Sequence, residues 1–226
     1  MKNFLLDLLF PPKCAFCGKL LDLSDDVCPT CEANLPYREE ENIVVSIGGN
    51  QYLCARTFYY EAMVEDGIKA LKFGKKSWRT KVFSRYIART AAERFFGEFD
   101  AVTYVPVSWQ RNFTRGFDQA RLLAEGTAEI WGQKAEPALR KIRHTRAQSS
   151  LDDPRDRRRN VKDAYAVRNP AKIRGRRFLL IDDVCTTGST LSAAANALSD
   201  AGAESVVCAV LAGGHPKTEK EADSLA

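Results

Sequence analysis

Apolar and polar positions alternate along the chain in a way that predicts helices and strands in turn. After the acidic stretch "LPYREEENIVV", a first strand is expected near Ile43–Val45. A helix is predicted at about residues 63–73 and a longer one at about 78–96. In the longer one Val82, Tyr86, Ile87, Ala91 and Phe95 recur at helical spacing, and lysines and arginines take the other face. "AVTYVPV", residues 101–107, is a short run rich in β-branched residues that ends at a proline, as a buried parallel strand would. Asp118 is placed as the N-cap of a helix over "QARLLAEGTAEIW". "RRFLLIDDV" makes a second buried strand, residues 189–200 a helix, and "SVVCAVLA" a third strand. Cys54 and Cys208 fall in apolar strands and are expected in the core. Strands alternating with helices of ten or more residues imply βαβ units, and hence an α/β fold with a doubly wound, mainly parallel sheet.

Length and charge narrow the picture. With 226 residues the chain has room for one core of roughly 100–200 residues plus a small module. The net charge of +5 does not by itself make nucleic acid the default partner. Its distribution says more: residues 1–66 carry 5 basic and 11 acidic side chains, residues 69–94 carry 9 and 1, and residues 140–160 carry 8 and 3. The opening "MKNFLLDLLFPPK" reads as a short amphipathic helix, since Asp7 interrupts a run too short for a signal peptide and no small-residue cleavage site follows. No stretch reaches the roughly 20 apolar residues of a membrane span. Seven cysteines, an odd number with four clustered, argue for a reducing, cytoplasmic compartment and for metal binding over a disulfide framework.

That cluster, "CAFCGKLLDLSDDVCPTC", holds Cys14, Cys17, Cys28 and Cys31 as two CxxC pairs separated by ten residues. Each pair lets two thiolates reach one ion from a tight turn, and two pairs complete the four-thiolate shell of a structural zinc site. A thioredoxin-type redox pair is the alternative, but no βαβ pattern surrounds these cysteines. With four protein ligands such a zinc has no place for substrate water, so its role is folding or docking.

The stretch "FLLIDDVCTTGSTL" runs a buried strand into two aspartates and then into a loop of hydroxyls around one glycine. Ligands of doubly wound sheets bind outside the carboxyl ends of the strands. A loop that opens a helix there gathers backbone N–H groups, hydroxyls and the positive end of the helix dipole on one anion. Asp182 and Asp183, both acceptors, suit the vicinal hydroxyls of a ribose. Cys185, Thr186, Thr187, Gly188, Ser189 and Thr190 suit a monophosphate, with Gly188 expected to admit the phosphate and Cys185 to be either the most reactive thiol or a small loop filler. A nucleoside triphosphatase needs GxxxxGK[ST] and a dinucleotide site GxGxxG; the chain has neither. A purely structural turn stays open, at the cost of two adjacent carboxylates at a buried edge.

"FLLIDDVCTTGST" resembles the phosphoribosyl pyrophosphate (PRPP) motif of type I phosphoribosyltransferases. Together with the four-cysteine module, "LKFGKK", "VPVSWQRNFTRGFDQA" and "RKIRHTRAQSSLDDPRDRRRNVKDAY", it makes the chain similar to the ComF-type competence-protein family from Cys14 to about Leu211. The resemblance implies ribose contacts from Asp182 and Asp183 and 5-phosphate contacts from residues 185–190. It also implies a pyrophosphate loop at Val107 and Ser108, with Arg111 and Arg115 nearby, and a mobile loop over residues 140–160. PRPP would bring Mg²⁺, and Lys141 and Arg143 are suited to its diphosphate. Asp118 departs from the asparagine usual in the family's "RGFNQ" pattern, and Ser108-Trp109 from a proline-containing pair. His144 and His215 are expected at the surface.

The expected organisation is a zinc module over residues 1–36, a phosphoribosyltransferase-like domain over 37–216 and a disordered tail over 217–226. Three function classes follow: a PRPP-binding protein supporting DNA uptake in natural transformation, an active phosphoribosyltransferase with an unidentified acceptor, and a single-stranded-DNA-binding adaptor. In the last, the basic faces at 69–94 and 140–160 would track a phosphate backbone and the DNA-uptake machinery would be a partner. The sequence names neither catalytic residues nor an oligomeric state.

Overall fold

The computed structural model describes residues 11–22, 25–38, 42–47, 50–73, 77–107, 118–143 and 163–214. Within them the chain runs through α1 (Pro29–Ala33), β1 (Ile43–Ile47), β2 (Asn50–Tyr59), α2 (Ala62–Phe73), α3 (Ser77–Phe95) and β3 (Ala101–Tyr104). It continues through α4 (Gln119–Ile130), β4 (Leu139–Lys141), β5 (Tyr165–Val167), β6 (Arg177–Cys185), α5 (Ser189–Asp200) and β7 (Ser205–Gly213).

The main sheet has five strands in the order β1-β2-β7-β6-β3. β2, β7, β6 and β3 are parallel, and β1 adds an antiparallel edge. β6 and β7 sit inside and are covered on both sides, which is why they read as continuous apolar runs. Side chains still alternate: Leu179 and Ile181 join one buried cluster, Phe178 and Leu180 the other. The first cluster is closed by α2, α3 and α4; the second holds Leu191, Ala194 and Leu198 of α5 together with Leu139 and Tyr165 of the small β4–β5 ladder. Helices on both faces make the doubly wound α/β sheet.

Helix α3 fits its predicted stripe: Val82, Ile87, Ala91 and Phe95 are buried, and Tyr86 is half-buried. Asp118 caps α4 as expected, its Oδ1 accepting from the Arg121 amide at 3.1 Å. Two features differ from the pattern reading. The strand expected around Cys54 is the ten-residue β2, whose length was not apparent because Arg56 and Thr57 break its apolar run. The β4 and β5 strands are three residues each, too short for a period to show.

The four-cysteine module is built into the core beside the sheet. Phe16 is 2% exposed and its ring centroid lies 5.3 Å from that of Phe83 and 5.8 Å from that of Phe58. Arg79 Nε donates to the Ala15 carbonyl at 2.9 Å, Arg85 pairs with Asp26, and Tyr86 donates to Glu32 at 2.9 Å. Part of the basic face of α3 thus holds the module in place. No described helix is long and apolar enough to cross a membrane. Residues 1–10 of the amphipathic helix expected over 1–13, His144, His215 and the tail over 217–226 lie outside the described residues, as does most of the 140–160 loop; residues 11–13 are not helical.

Candidate functional site

At the carboxyl end of β6 the chain stays paired to β7 as far as Cys185, opposite Gly213. Asp182 and Asp183 are half-buried there. Asp182 Oδ1 accepts from the Asp183 amide and Asp183 Oδ1 from the Val184 amide, each at 2.8 Å, so both carboxylates are held against their own backbone at the strand mouth. The next turn brings Thr187 Oγ1 and Ser189 Oγ to 2.9 Å of each other, with Thr186 exposed and Thr190 half-buried. Helix α5 then begins behind Gly188, whose φ of 72° is left-handed and which offers no side chain to its first-turn amides. Those amides and the helix dipole converge on this loop, the arrangement that binds anions.

Gly188 is buried against β1. A Cβ placed on it would lie 2.5 Å from Val45 Cγ1, so the glycine is also needed for packing against β1. This alters the expectation that it serves phosphate access only. Cys185 is also placed differently: it is 2% exposed and lies in the core. Donation from the Cys54 thiol, opposed by burial, and then the Arg56 charge and the Gly188 amide leave the Cys185 thiol below its ordinary range. Its backbone carbonyl accepts from Gly214 N at 3.3 Å. Its burial is that of a small loop filler, the second of the two expectations, and disfavours the most reactive thiol.

Of the residues assigned to the pyrophosphate loop, Val107 is described; Ser108, Arg111 and Arg115 lie outside the described residues. The Val107 amide donates to Asp118 Oδ2 at 3.1 Å, which ties the start of that loop to the α4 N-terminus. Asp118 is 9% exposed, and burial pushes its carboxyl up; the Val107 and Arg121 amides pull it down and the Asp183 charge raises it further. Asp118 therefore feels the charge of Asp183 at the strand mouth. Lys141 closes β4 with its Nζ 5.4 Å from the Tyr165 ring centroid, and Ile142 N donates to Ala164 O; Arg143 follows that ladder.

Sequence reasoning missed two arginines. Arg38 Nη1 and Arg56 Nη1 donate to the Gly214 carbonyl at 2.7 and 3.1 Å, beside the Cys185 end of β6. Both are under 10% exposed, and Arg38 lies 4.2 Å over the Tyr59 ring. The lone charge inside "YLCARTFYY" was the available signal for Arg56.

The four-cysteine cluster is the most complete candidate site among the described residues. The thiols of Cys14, Cys17, Cys28 and Cys31 all lie within 4.8 Å of one another, with Cys17 and Cys28 at 3.8 Å. A tetrahedral zinc with Zn–S bonds of about 2.3 Å demands sulfur–sulfur edges of about 3.8 Å. The first pair sits on a tight turn, with Gly18 N donating to Cys14 O at 2.9 Å and Gly18 at φ 76°. The second opens α1: Cys28 is its N-cap and Pro29 follows. The cysteines suit a structural zinc.

Two family models match parts of the chain. Residues 5–42 match the double zinc ribbon domain model and residues 135–226 the phosphoribosyl transferase domain model. "Competence protein F" of Haemophilus influenzae is 28% identical over 202 residues, covering 86% of this chain and 82% of that protein. "Competence protein ComFC" of Streptococcus pneumoniae is 27% identical, covering 85% of this chain and 84% of its own. "DNA utilization protein YhgH" of Escherichia coli O157:H7 is 34% identical over 144 residues, 62% of each chain, so the match spans under two thirds of that relative.

Proposed function

Taking as premise that this chain is a ComF-type, phosphoribosyltransferase-like protein with an N-terminal zinc module, we propose that it binds PRPP or a related ribose phosphate at the β6–α5 loop and supports DNA uptake. The observation that carries the reading is the junction of two half-buried carboxylates with a glycine-capped helix start. In the proposed complex Asp182 and Asp183 accept from the ribose hydroxyls. The amides and hydroxyls of residues 185–190 hold the 5-phosphate. Mg²⁺ travels with the diphosphate, which lies toward Val107 and the loop that Asp118 anchors, where Ser108, Arg111 and Arg115 are proposed to hold it. The printed names of the relatives, competence and DNA utilization proteins, support the uptake role. A cytoplasmic location accords with seven free cysteines.

Transfer from PRPP would need charge stabilisation on the departing pyrophosphate and positioning of an acceptor, with little covalent chemistry from the protein. Calorimetry with PRPP and Mg²⁺, followed by a pyrophosphate-release screen over nucleobases and single-stranded DNA, tests the reading. Saturable PRPP binding without release supports a binding protein, release with one acceptor makes it a transferase, and absence of PRPP binding contradicts both. The adaptor reading is weaker on α3, where Arg79 and Arg85 hold the zinc module and Arg89 pairs with Glu93 at 2.8 Å.

A further inference from the structure

A cavity of about 440 Å³ opens between α1, the segment entering β1, β2 and the second half of α3. Glu32, Tyr37, Arg38, Arg56, Tyr86 and Arg94 contribute to its wall; Asp182, Asp183 and residues 185–190 do not. We propose that this cavity is a second ligand site that takes a small aromatic anion of mononucleotide size.

Size, charge and shape each point that way. The volume lies within the roughly 300–1,000 Å³ of small-molecule sites. Four arginines and two glutamates line it among the described residues, and both acids are engaged: Glu93 holds Arg89 at 2.8 Å, and Glu32 accepts from the Tyr86 and Tyr37 hydroxyls at 2.9 and 3.4 Å. Arg89 and Glu93 offset each other, and Arg38, Arg56 and Arg94 outnumber Glu32, so the wall is net positive among the described residues. Arg38 and Arg56 are 8% and 9% exposed, and the Gly214 carbonyl and the Tyr59 ring fix them in place. Positive groups held in a poorly solvated wall attract an anion more strongly than the same groups in water. The Tyr37 ring, 39% exposed and tilted against Phe58 at 4.9 Å, lines the cavity with an aromatic surface, and aromatic rings and guanidinium planes stack on one another. Inorganic phosphate would answer the charge but leave the ring face and most of the volume unused.

The experiment uses the full, zinc-loaded chain and adenosine 3′-monophosphate. Its phosphate occupies a hydroxyl that Asp182 and Asp183 are proposed to grip, which disfavours the β6–α5 loop. Equilibrium dialysis should show saturable binding of one nucleotide per chain, weakened at least about tenfold by R94E, since charge-assisted hydrogen bonds carry about one decade or more each. Adenosine without phosphate should bind at least about tenfold more weakly on the same grounds. The D182N/D183N chain should bind the nucleotide as the parent does, and R94E should leave PRPP binding unchanged, so this site and the proposed PRPP site fail separately. Should R94E not fold, R94Q takes its place. Absence of nucleotide binding, binding unmoved at Arg94, or binding lost in D182N/D183N overturns the proposal. So does R94E-sensitive binding of a ten-residue oligothymidylate by a chain that ignores the nucleotide.

Discussion

Gly188 lies against Val45: a Cβ on the glycine would stand 2.5 Å from Val45 Cγ1 and 2.8 Å from its Cβ. The loop proposed to hold phosphate is therefore seated on the edge hairpin, and packing there requires its glycine. Gly188→Ala meets both the left-handed φ of 72° and this contact. It should destabilise the chain by roughly 1–3 kcal/mol, read from the urea midpoint at constant slope. Adding Val45→Ala should return part of the loss. An unchanged midpoint in Gly188→Ala would mean that the loop is not seated on β1.

Zinc should hold more than its own module. Freshly purified protein should carry one equivalent, and less than half an equivalent would count against the site. Because Phe16 is buried against Phe58 and Phe83, Cys28→Ser or a chelator should lower the melting temperature of the whole chain, beyond fraying residues 11–35. A main transition unchanged after metal removal would show the module to be thermally independent of the sheet.

Cys185 should be slow to alkylate despite its lowered pKa, because it is 2% exposed. In metal-free protein Cys17, exposed, should react first. Mass-mapped alkylation that finds Cys185 ahead of Cys17, and protected by PRPP, would restore a ligand-facing thiol.

Asp118 should make stability depend on pH in a definite direction. Its folded pKa is raised above the ordinary 3.8, so its favourable contribution is present in full below that value and is lost as pH rises through the folded pKa. Asp118→Asn removes the titration, whatever fixed offset its altered hydrogen bonds bring. Urea unfolding of the two chains between pH 3 and pH 7 (roughly the span over which such carboxyls titrate) should show the difference drifting in favour of asparagine as pH rises. Repeating it with Asp183→Asn should reduce the drift, since the Asp183 charge adds to the rise. A flat difference contradicts the burial argument.

Much of this was legible in the sequence where one local signal carried it. The apolar run of β6, the 3.6-residue stripe of α3, the Asp118 cap and the double CxxC spacing each declared themselves. What stayed hidden depended on long-range closure. Arg38 and Arg56 reach Gly214 across 176 and 158 residues, and no local pattern announces such a meeting. Arg79 and Arg85 belong to a charge run that resembles a solvated or nucleic-acid-facing surface until the zinc module is docked on it. Gly188 looked like a ligand glycine because Val45 lies 143 positions away in the chain.

The central claim is that Asp182 and Asp183 bind the ribose of PRPP and the following loop its phosphate. Replacing both with asparagine keeps their size and removes two charged acceptors, each worth roughly 1.5–3 kcal/mol in a charge-assisted hydrogen bond. The measurement is a calorimetric titration of PRPP with Mg²⁺ into the parent chain and D182N/D183N, with matched melting temperatures to establish that both are folded. The expected result is a loss of affinity of at least about tenfold; a double variant that binds PRPP as tightly as the parent would contradict the assignment.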